Sequence, residues 1–509
     1  MLDDPAAFAS SRGDVQPDGL PLARRIANHF RSGILEGEYV VGARLPTVRS
    51  VAARLGTTPQ TVAAAYRILS EQGLVRPRAG AGTVVLPQSG AVETDEPAAA
   101  RPAQRLPLVA SLATPSFHET YRRLLHLDRE GTSGGFASYT PALELYPGEV
   151  TGLLRSLLRR DGPRLFQMGG PEGDAGLRAA VSQLLVGAGG AVTPQEVVVT
   201  GGAQEGLALA FRALAAPGDA VVVESPTYIG ALEALVTAGV RVVGVPVGPD
   251  GVDPDEVSSV VSRVRAKVFY TMPSFQNPTG HTMSLPRRRR LLAVARRHGL
   301  VVVEDAAAAE LHYDGPPPPP LLALDRDGLV VHVGTFSKTL FSGIRLGYVV
   351  ARGALVEPLL RLKYVTNVHV PLLLQRLGQA FLAGRRWRSH LARVRPIYRA
   401  RRDAMLGALG RDLDGRAAWT APGGGFSLWL TLPPDLDAAD LFRLALERGV
   451  SFVPGAVFFP EAIQHHTLRL CFSSVAPDQI GRGVAALAGA LGEAAGRPRP
   501  SPSPGRGRA

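Results

Sequence analysis

The chain has 509 residues, 45 % hydrophobic and 20 % charged, with a formal net charge of +12. That length is too great for one core and points to two or three domains of ordinary globular composition. A single cysteine, Cys471, excludes an internal disulfide, and no apolar run is long enough to span a bilayer. The opening MLDDPAAFAS lacks the basic head and apolar stretch of a signal peptide, so a soluble, cytoplasmic protein is expected.

The positive charge is unevenly spread. Residues 20–87 hold nine arginines against Glu36, Glu38 and Glu71, and the tail from Arg497 adds four arginines and no acid. The bulk between them is nearly neutral. A compact basic module of this kind suggests a polyanion partner, although a solvated arginine surface would look the same by charge alone.

Residues 1–19 show no pattern and are expected to be disordered. From residue 20 the periodicity is helical. Leu22, Ile26, Phe30 and Ile34 recur every fourth residue, and Val48, Val51, Ala52 and Leu55 follow a second helical spacing closed by Gly56. Thr58 and Pro59 read as the cap and first residue of a third helix carrying Val62, Ala65, Tyr66 and Leu69. LVRPRAGAGTVV, residues 74–85, then predicts two short strands around a glycine-bearing tip. Short helices followed by a basic hairpin make a winged helix-turn-helix over residues 20–87. Its third helix would enter a major groove. Gln60 can pair with adenine, Thr61 can reach a base or phosphate, and Arg67 faces outward on the same helix. Arg49, Arg76 and Arg78 suit phosphates, while Gly80 and Gly82 allow close backbone approach.

Residues 88–107 are rich in proline, alanine and charge without periodicity, which predicts a linker. From 108 to 493 the pattern is α/β. EVVVT (196–200), AVVVES (220–225), KVFYTMP (267–273) and LVVVED (300–305) alternate with helical stretches, predicting a large, mostly parallel, buried sheet. Residues 494–509 are read as a disordered basic tail. The run PPPPP at 316–320 is read as a rigid loop without assigned function.

Lysine is scarce in this chain. Only Lys267, Lys338 and Lys363 occur among 56 basic residues, and Lys338 sits in GTFSKTLFSGIRLG. An amine can form a Schiff base with an aldehyde cofactor, which a permanently protonated guanidinium cannot. The surrounding residue types fit pyridoxal 5'-phosphate. Thr335, Ser337 and Arg345 can bind a phosphate, and the small-residue turn TGGAQEG (200–206) can add a helix N-terminus to it. Asp305 at a strand end could pair with a protonated pyridine nitrogen. Tyr228 could stack on the ring, and Asn277 could bind its phenolate oxygen. No metal site is expected.

Two resemblances arise from these motifs. The stretch from Leu45 to Val85 resembles the GntR-type DNA-binding domain, in which the positions of Arg49, residues 58–61 (with Thr58, Gln60 and Thr61) and the wing glycine, here Gly82, touch DNA. Pro59 and Ala63 stand where many relatives carry basic or polar residues. The motif order of the large region resembles the fold-type I aminotransferases over about 380 residues. The resemblance puts Gly202, Ala203 and Gln204 on the phosphate turn, Tyr228 on the stacking ring, Asn277 on the phenolate ligand and Asp305 on the pyridine partner. It puts Lys338 on the Schiff-base lysine, Thr335 and Arg345 on the phosphate site, and Arg469 on the clamp for a substrate carboxylate. It also implies a small C-terminal domain around PGGGFSLWL (422–430) and a homodimer. This sequence departs from it at Ala306–Ala309, where a phenolate-binding tyrosine is usual, and at Met168, where many relatives have a tyrosine reaching the neighbouring subunit.

The whole chain is similar to the MocR subfamily of bacterial regulators. That resemblance implies a transcriptional regulator that binds promoter DNA and senses an amino compound. An active aminotransferase carrying a DNA-binding domain is the competing reading, and a cofactor-free dimerisation platform is a third.

Overall fold

In a computed structural model of the chain, the described residues are 22–35, 39, 43–71, 74–78, 82–86, 134–315, 318–461 and 463–496. The expected disordered N-terminus 1–19 and linker 88–107 lie outside them. The chain divides into two compact units, Met1–Pro107 and Leu108–Ala509.

The first unit contains helices α1 (Leu22–Leu35), α2 (Val48–Arg54) and α3 (Pro59–Glu71), then strands β1 (Val75–Arg78) and β2 (Gly82–Val85). The apolar positions read from the sequence pack as expected. Ile26, Phe30, Val51, Val62, Ala65, Tyr66 and Leu69 are all buried in one core. The Thr58 cap acts as read, and Thr47 caps the preceding helix. Thr47 Oγ1 accepts the Ser50 N–H at 3.2 Å, and Thr58 Oγ1 accepts the Thr61 N–H at 3.3 Å. Tyr66 lies edge-on to Phe30, and its hydroxyl donates to Pro46 O at 2.7 Å, fixing α3 against the segment before α2. β1 and β2 pair antiparallel from Val75↔Val85 to Arg78↔Gly82. Residues 43–45 extend this wing, with Leu45 N–H donating to Thr83 O at 2.9 Å.

The second unit is built on an eight-stranded sheet. Its strands are β4 (Val197–Thr200), β5 (Ala220–Ser225), β6 (Arg241–Gly248), β7 (Gly251–Val252), β8 (Val268–Thr271), β9 (Val301–Asp305), β10 (Val330–Thr335) and β11 (Gly347–Val350). The spatial order is β4-β11-β10-β9-β8-β5-β6-β7. β10, β9, β8, β5 and β6 are mutually parallel, whereas β11 runs antiparallel to both β10 and β4. Strands β4, β8 and β11 are buried along their whole length, as uninterrupted apolar runs require in a sheet covered on both faces. Helices cover the sheet. They include α4 (Glu149–Asp161), α5 (Ala175–Gly187), α6 (Ala203–Leu214), α7 (Ile229–Thr237), α8 (Pro254–Val264), α9 (Leu285–His298), α10 (Leu321–Leu324), α11 (Val356–Asn367) and α12 (Leu372–Leu382).

A long helix, α13 (Arg386–Asp412), leads into a smaller layer with its own core. There β12 (Ala418–Trp419), β13 (Ser427–Thr431), β16 (Thr467–Cys471) and β15 (Val453–Pro454) form a sheet in that order, packed with α14 (Ala438–Glu447) and α15 (Pro477–Gly496). A short parallel pair, β3 (Gly134–Gly135) with β14 (Val450–Ser451), joins the start of the described second unit to this layer. The tail boundary shifts. Residues 494–496 close α15, so helix replaces the first three residues expected to be disordered, and 497–509 lie outside the described residues.

Candidate functional site

The second unit puts its candidate residues at the carboxyl ends of neighbouring strands. Gly202–Gln204 follow β4, Tyr228 follows β5, Asn277 follows β8, Asp305 ends β9, and Thr335–Lys338 end β10. Open α/β sheets place ligands at such ends. Here they enclose a cavity of about 100 Å³ lined by Ala203, Gln204, Tyr228, Asn277, Asp305, Thr335, Ser337, Lys338, Arg345 and Arg469. Every second-unit residue read from the sequence therefore reaches one space, except Gly202, which caps α6 beside it.

Two features shape the end of the cavity beside Arg345. Gly202 has φ +110°, and a Cβ there would come within 3.0 Å of Arg345 Nη2. Ser337 Oγ is buried with no hydrogen-bond partner among the described residues. Gln204 is already engaged, donating to Gly230 O at 2.6 Å and accepting the Tyr228 hydroxyl at 3.0 Å. That bond orients the Tyr228 ring. Thr335 Oγ1 accepts the Ser337 N–H at 3.1 Å and so shapes the turn before Lys338.

Lys338 donates to Tyr139 O at 2.7 Å, with its ammonium 5.0 Å from the Tyr139 ring centre. Desolvation by burial, with help from the nearby Arg469 and Arg345 charges, lowers its pKa from the usual 10.5 to about 8. Asp305 is fully buried and its carboxyl is pushed up, burial being the main cause. The Ala307 N–H and the Tyr270 hydroxyl, each 3.0 Å away, oppose that rise. A buried carboxylate that, among the described residues, takes its hydrogen bonds from neutral donors and has only the more distant charges of His332 and Lys338 to favour its anion fits a site made for a protonated ring nitrogen.

Arg469 projects from β16. Its Nη1 donates to Asn277 Oδ1 at 3.0 Å and its Nη2 to Ala137 O at 2.8 Å, while Nε is buried without a partner among the described residues. The guanidinium carbon lies 5.3 Å from the Tyr139 ring centre and 5.1 Å from that of Phe458. At the sequence departures, Ala307 lines the cavity, Ala308 beside it is fully buried and Met168 is 77 % exposed.

Sequence reasoning missed Tyr139, Tyr270 and Met272. Tyr139 is 199 residues before Lys338 in the chain, with no spacing signal to link them. Tyr270 was visible in KVFYTMP as a strand residue, but the parallel pairing of β8 with β9 is what carries its hydroxyl to Asp305.

The first unit presents a separate candidate surface. Arg49, Thr58, Gln60, Arg67, Arg76 and Gly82 are exposed, and no acid occurs from Ala43 to Ser70. Thr61 is half-buried, with its hydroxyl 2.9 Å from that of Thr58, so these two hydroxyls already serve the helix cap. The Arg78 side chain and Gly80 lie outside the described residues.

Comparison with known proteins gives two family matches. Residues 22–85 match bacterial regulatory proteins of the gntR family, and residues 146–487 match aminotransferase class I and II. The HTH-type transcriptional regulator TauR of Rhodobacter capsulatus is 33 % identical over 489 residues, covering 92 % of this chain and 96 % of TauR. The probable rhizopine catabolism regulatory protein MocR of Rhizobium meliloti is 28 % identical, covering 93 % and 94 %. Among solved structures, the α-aminoadipate aminotransferase LysN of Thermus thermophilus, complexed with N-(5'-phosphopyridoxyl)-L-leucine, is 38 % identical. It superposes with a TM-score of 0.70 over 74 % of this chain and 95 % of LysN.

Proposed function

The chain belongs to the MocR subfamily of GntR-type regulators, with an aminotransferase class I and II domain, and from that premise we propose that it is a pyridoxal 5'-phosphate-dependent transcriptional regulator sensing an amino compound. The observation that carries this reading is the convergence of ten predicted positions, Lys338 among them, on one cavity. The residues present fit the cofactor. Lys338 would hold its aldehyde carbon, and Gly202, Ala203, Gln204, Thr335, Ser337 and Arg345 its phosphate. Asp305 would face the ring nitrogen, Tyr228 the ring and Asn277 the phenolate oxygen. When bound, the cofactor supplies an electrophilic carbon that amines can attack.

The chain's own groups determine how a ligand is received. Arg469, with an unpartnered Nε, would receive the carboxylate of an amino compound. Lys338 would hold the cofactor's aldehyde carbon until an amine takes its place, and Tyr139 O, to which its Nζ donates at 2.7 Å, is positioned to keep the freed amine protonated. Arg49, Thr58, Gln60, Thr61, Arg67, Arg76, Arg78 and Gly82 would contact promoter DNA. Occupation of the cavity changes DNA affinity by no more than the ligand's differential affinity for the two states of the protein. A homodimer is part of the proposal, supported by the exposed apolar residues Leu143, Phe166, Met168, Tyr364 and Val365. No described helix is long and apolar enough to cross a membrane, and a cytoplasmic location is proposed.

A second reading, a working aminotransferase with a DNA-binding domain, is favoured by the Lys338 pKa of about 8. An amine titrating near neutrality can act as a general base. One experiment separates the two. The purified protein's absorbance is recorded, then titrated with amino acids in the absence of any keto acid, with promoter-DNA affinity read in parallel. A change that one compound produces, that stops short of the aminated cofactor and that alters DNA affinity, supports the sensor. Full conversion to the aminated cofactor supports the enzyme. Absence of any cofactor band in the wild-type protein refutes both.

A further inference from the structure

Three lysines stand in this sequence, and the cavity uses one. Lys267 is exposed at the start of β8, whereas the side chain of Lys363, on α11, is 0 % exposed. A fully buried ammonium needs partners. Lys363 Nζ donates to Glu205 Oε1 at 2.9 Å and to Asn367 Oδ1 at 2.5 Å. The other Glu205 oxygen, Oε2, accepts the Gly201 N–H at 2.6 Å. One carboxylate thus joins a buried lysine to the turn that precedes α6.

Glu205 is the third residue of α6, and Gly202 caps that helix. A carboxylate there is favourable to the helix dipole. It is also an anion at the same helix end that is proposed to receive a phosphate, and like charges oppose one another. Lys363 removes that conflict by neutralising Glu205. It also fixes where the carboxylate sits, with Oε2 on the Gly201 N–H just before Gly202. An ammonium suits this task. It is a compact donor that serves two acceptors from one nitrogen, whereas a planar guanidinium needs a wider, forked arrangement. That accounts for a second retained amine in a chain whose other basic residues are almost all arginine.

We propose that Lys363 is a positioning residue for the cofactor phosphate: through Glu205 it neutralises and orders the Gly201–Gln204 turn, and so sets phosphate affinity without touching the phosphate. The proposal rests on the preceding reading that this turn receives the phosphate of pyridoxal 5'-phosphate.

The test uses the full chain and two probes, pyridoxal 5'-phosphate and pyridoxal, which lacks the phosphate. Each is titrated against the wild type, Lys363→Met and the double variant Lys363→Met/Glu205→Gln, read by the absorbance band formed at Lys338. Lys363→Met should weaken pyridoxal 5'-phosphate at least about tenfold, the scale of one uncompensated like charge, and leave pyridoxal unchanged. The double variant, which carries neither charge, should recover to within about threefold of wild type. Equal loss for both probes, or a double variant as weak as the single one, overturns the proposal in favour of a purely structural role. Unchanged phosphate-cofactor affinity in Lys363→Met also overturns it while leaving the cofactor reading intact. If Lys363→Met does not fold, the double variant alone decides: near-wild-type affinity for both probes is expected, and an equal loss for both counts against the proposal. A wild type that forms no band with either probe fails the cofactor reading instead.

Discussion

Lys338 is the amine on which the proposed cofactor chemistry depends, and its environment makes a measurable statement. Burial, together with the charges of Arg469 and Arg345, lowers its pKa to about 8. Below that value the amine is protonated and cannot attack an aldehyde; above it the neutral amine prevails. The rate at which cofactor-free protein captures pyridoxal 5'-phosphate should therefore rise with pH through a midpoint near 8, well below the 10.5 of an ordinary lysine. Stopped-flow absorbance across that range measures it, and a midpoint near 10 would mean the amine is not desolvated as described. Lys338→Ala should abolish the band altogether. The sequence made Lys338 and Asp305 legible because their chemistry is local: an amine among hydroxyls, a carboxylate closing an apolar run. It could not show Tyr139 or Tyr270, since Tyr139 meets Lys338 across 199 residues and Tyr270 meets Asp305 only once β8 and β9 pair.

At the scale of elements, the turn between β4 and α6 is a close-packed part of the site. Gly202 holds φ +110°, and Gly347 on β11 lies so near that a Cβ there would come within 2.8 Å of the Gly202 Cα. Gly202→Ala should strain the backbone and crowd Arg345, lowering pyridoxal 5'-phosphate affinity by about tenfold while the core of the sheet is untouched. Cofactor titration beside a thermal melt reads this, and undiminished affinity would remove the turn from the phosphate site. Helices α1–α3 and the apolar strands were readable because periodicity and capping residues such as Thr58 encode them locally. The reversal of β11 was not. GYVV is as apolar as its parallel neighbours, and only the short connection from Thr335 to Gly347 forces the strand to return antiparallel.

For the molecule as a whole, two predictions concern surfaces. Arg49 is exposed in a stretch without acids. Arg49→Ala should weaken binding to all DNA sequences alike and reduce the salt dependence by about one counterion. Anisotropy titrations at several salt concentrations would show this, and an unchanged slope would take Arg49 off the phosphate backbone. Tyr364 and Val365 expose apolar side chains on α11. If they meet a second copy, Tyr364→Asp should shift sedimentation toward the monomer, and a dimer of undiminished strength would place the contact elsewhere.

Arg469 already has a neighbour to hold. It stands on the small sheet and donates to Asn277 on a loop of the large one, so the bond works as a latch across the cavity. A carboxylate arriving there would not find an empty hand. It would take up Nε and compete with Asn277 for the rest of the guanidinium, so its arrival would be an exchange of partners rather than a simple gain. Part of the attraction is used to loosen the latch. A ligand of modest affinity can then still produce a clear change between the two layers, which is the behaviour a detector needs and a tight storage site would lack.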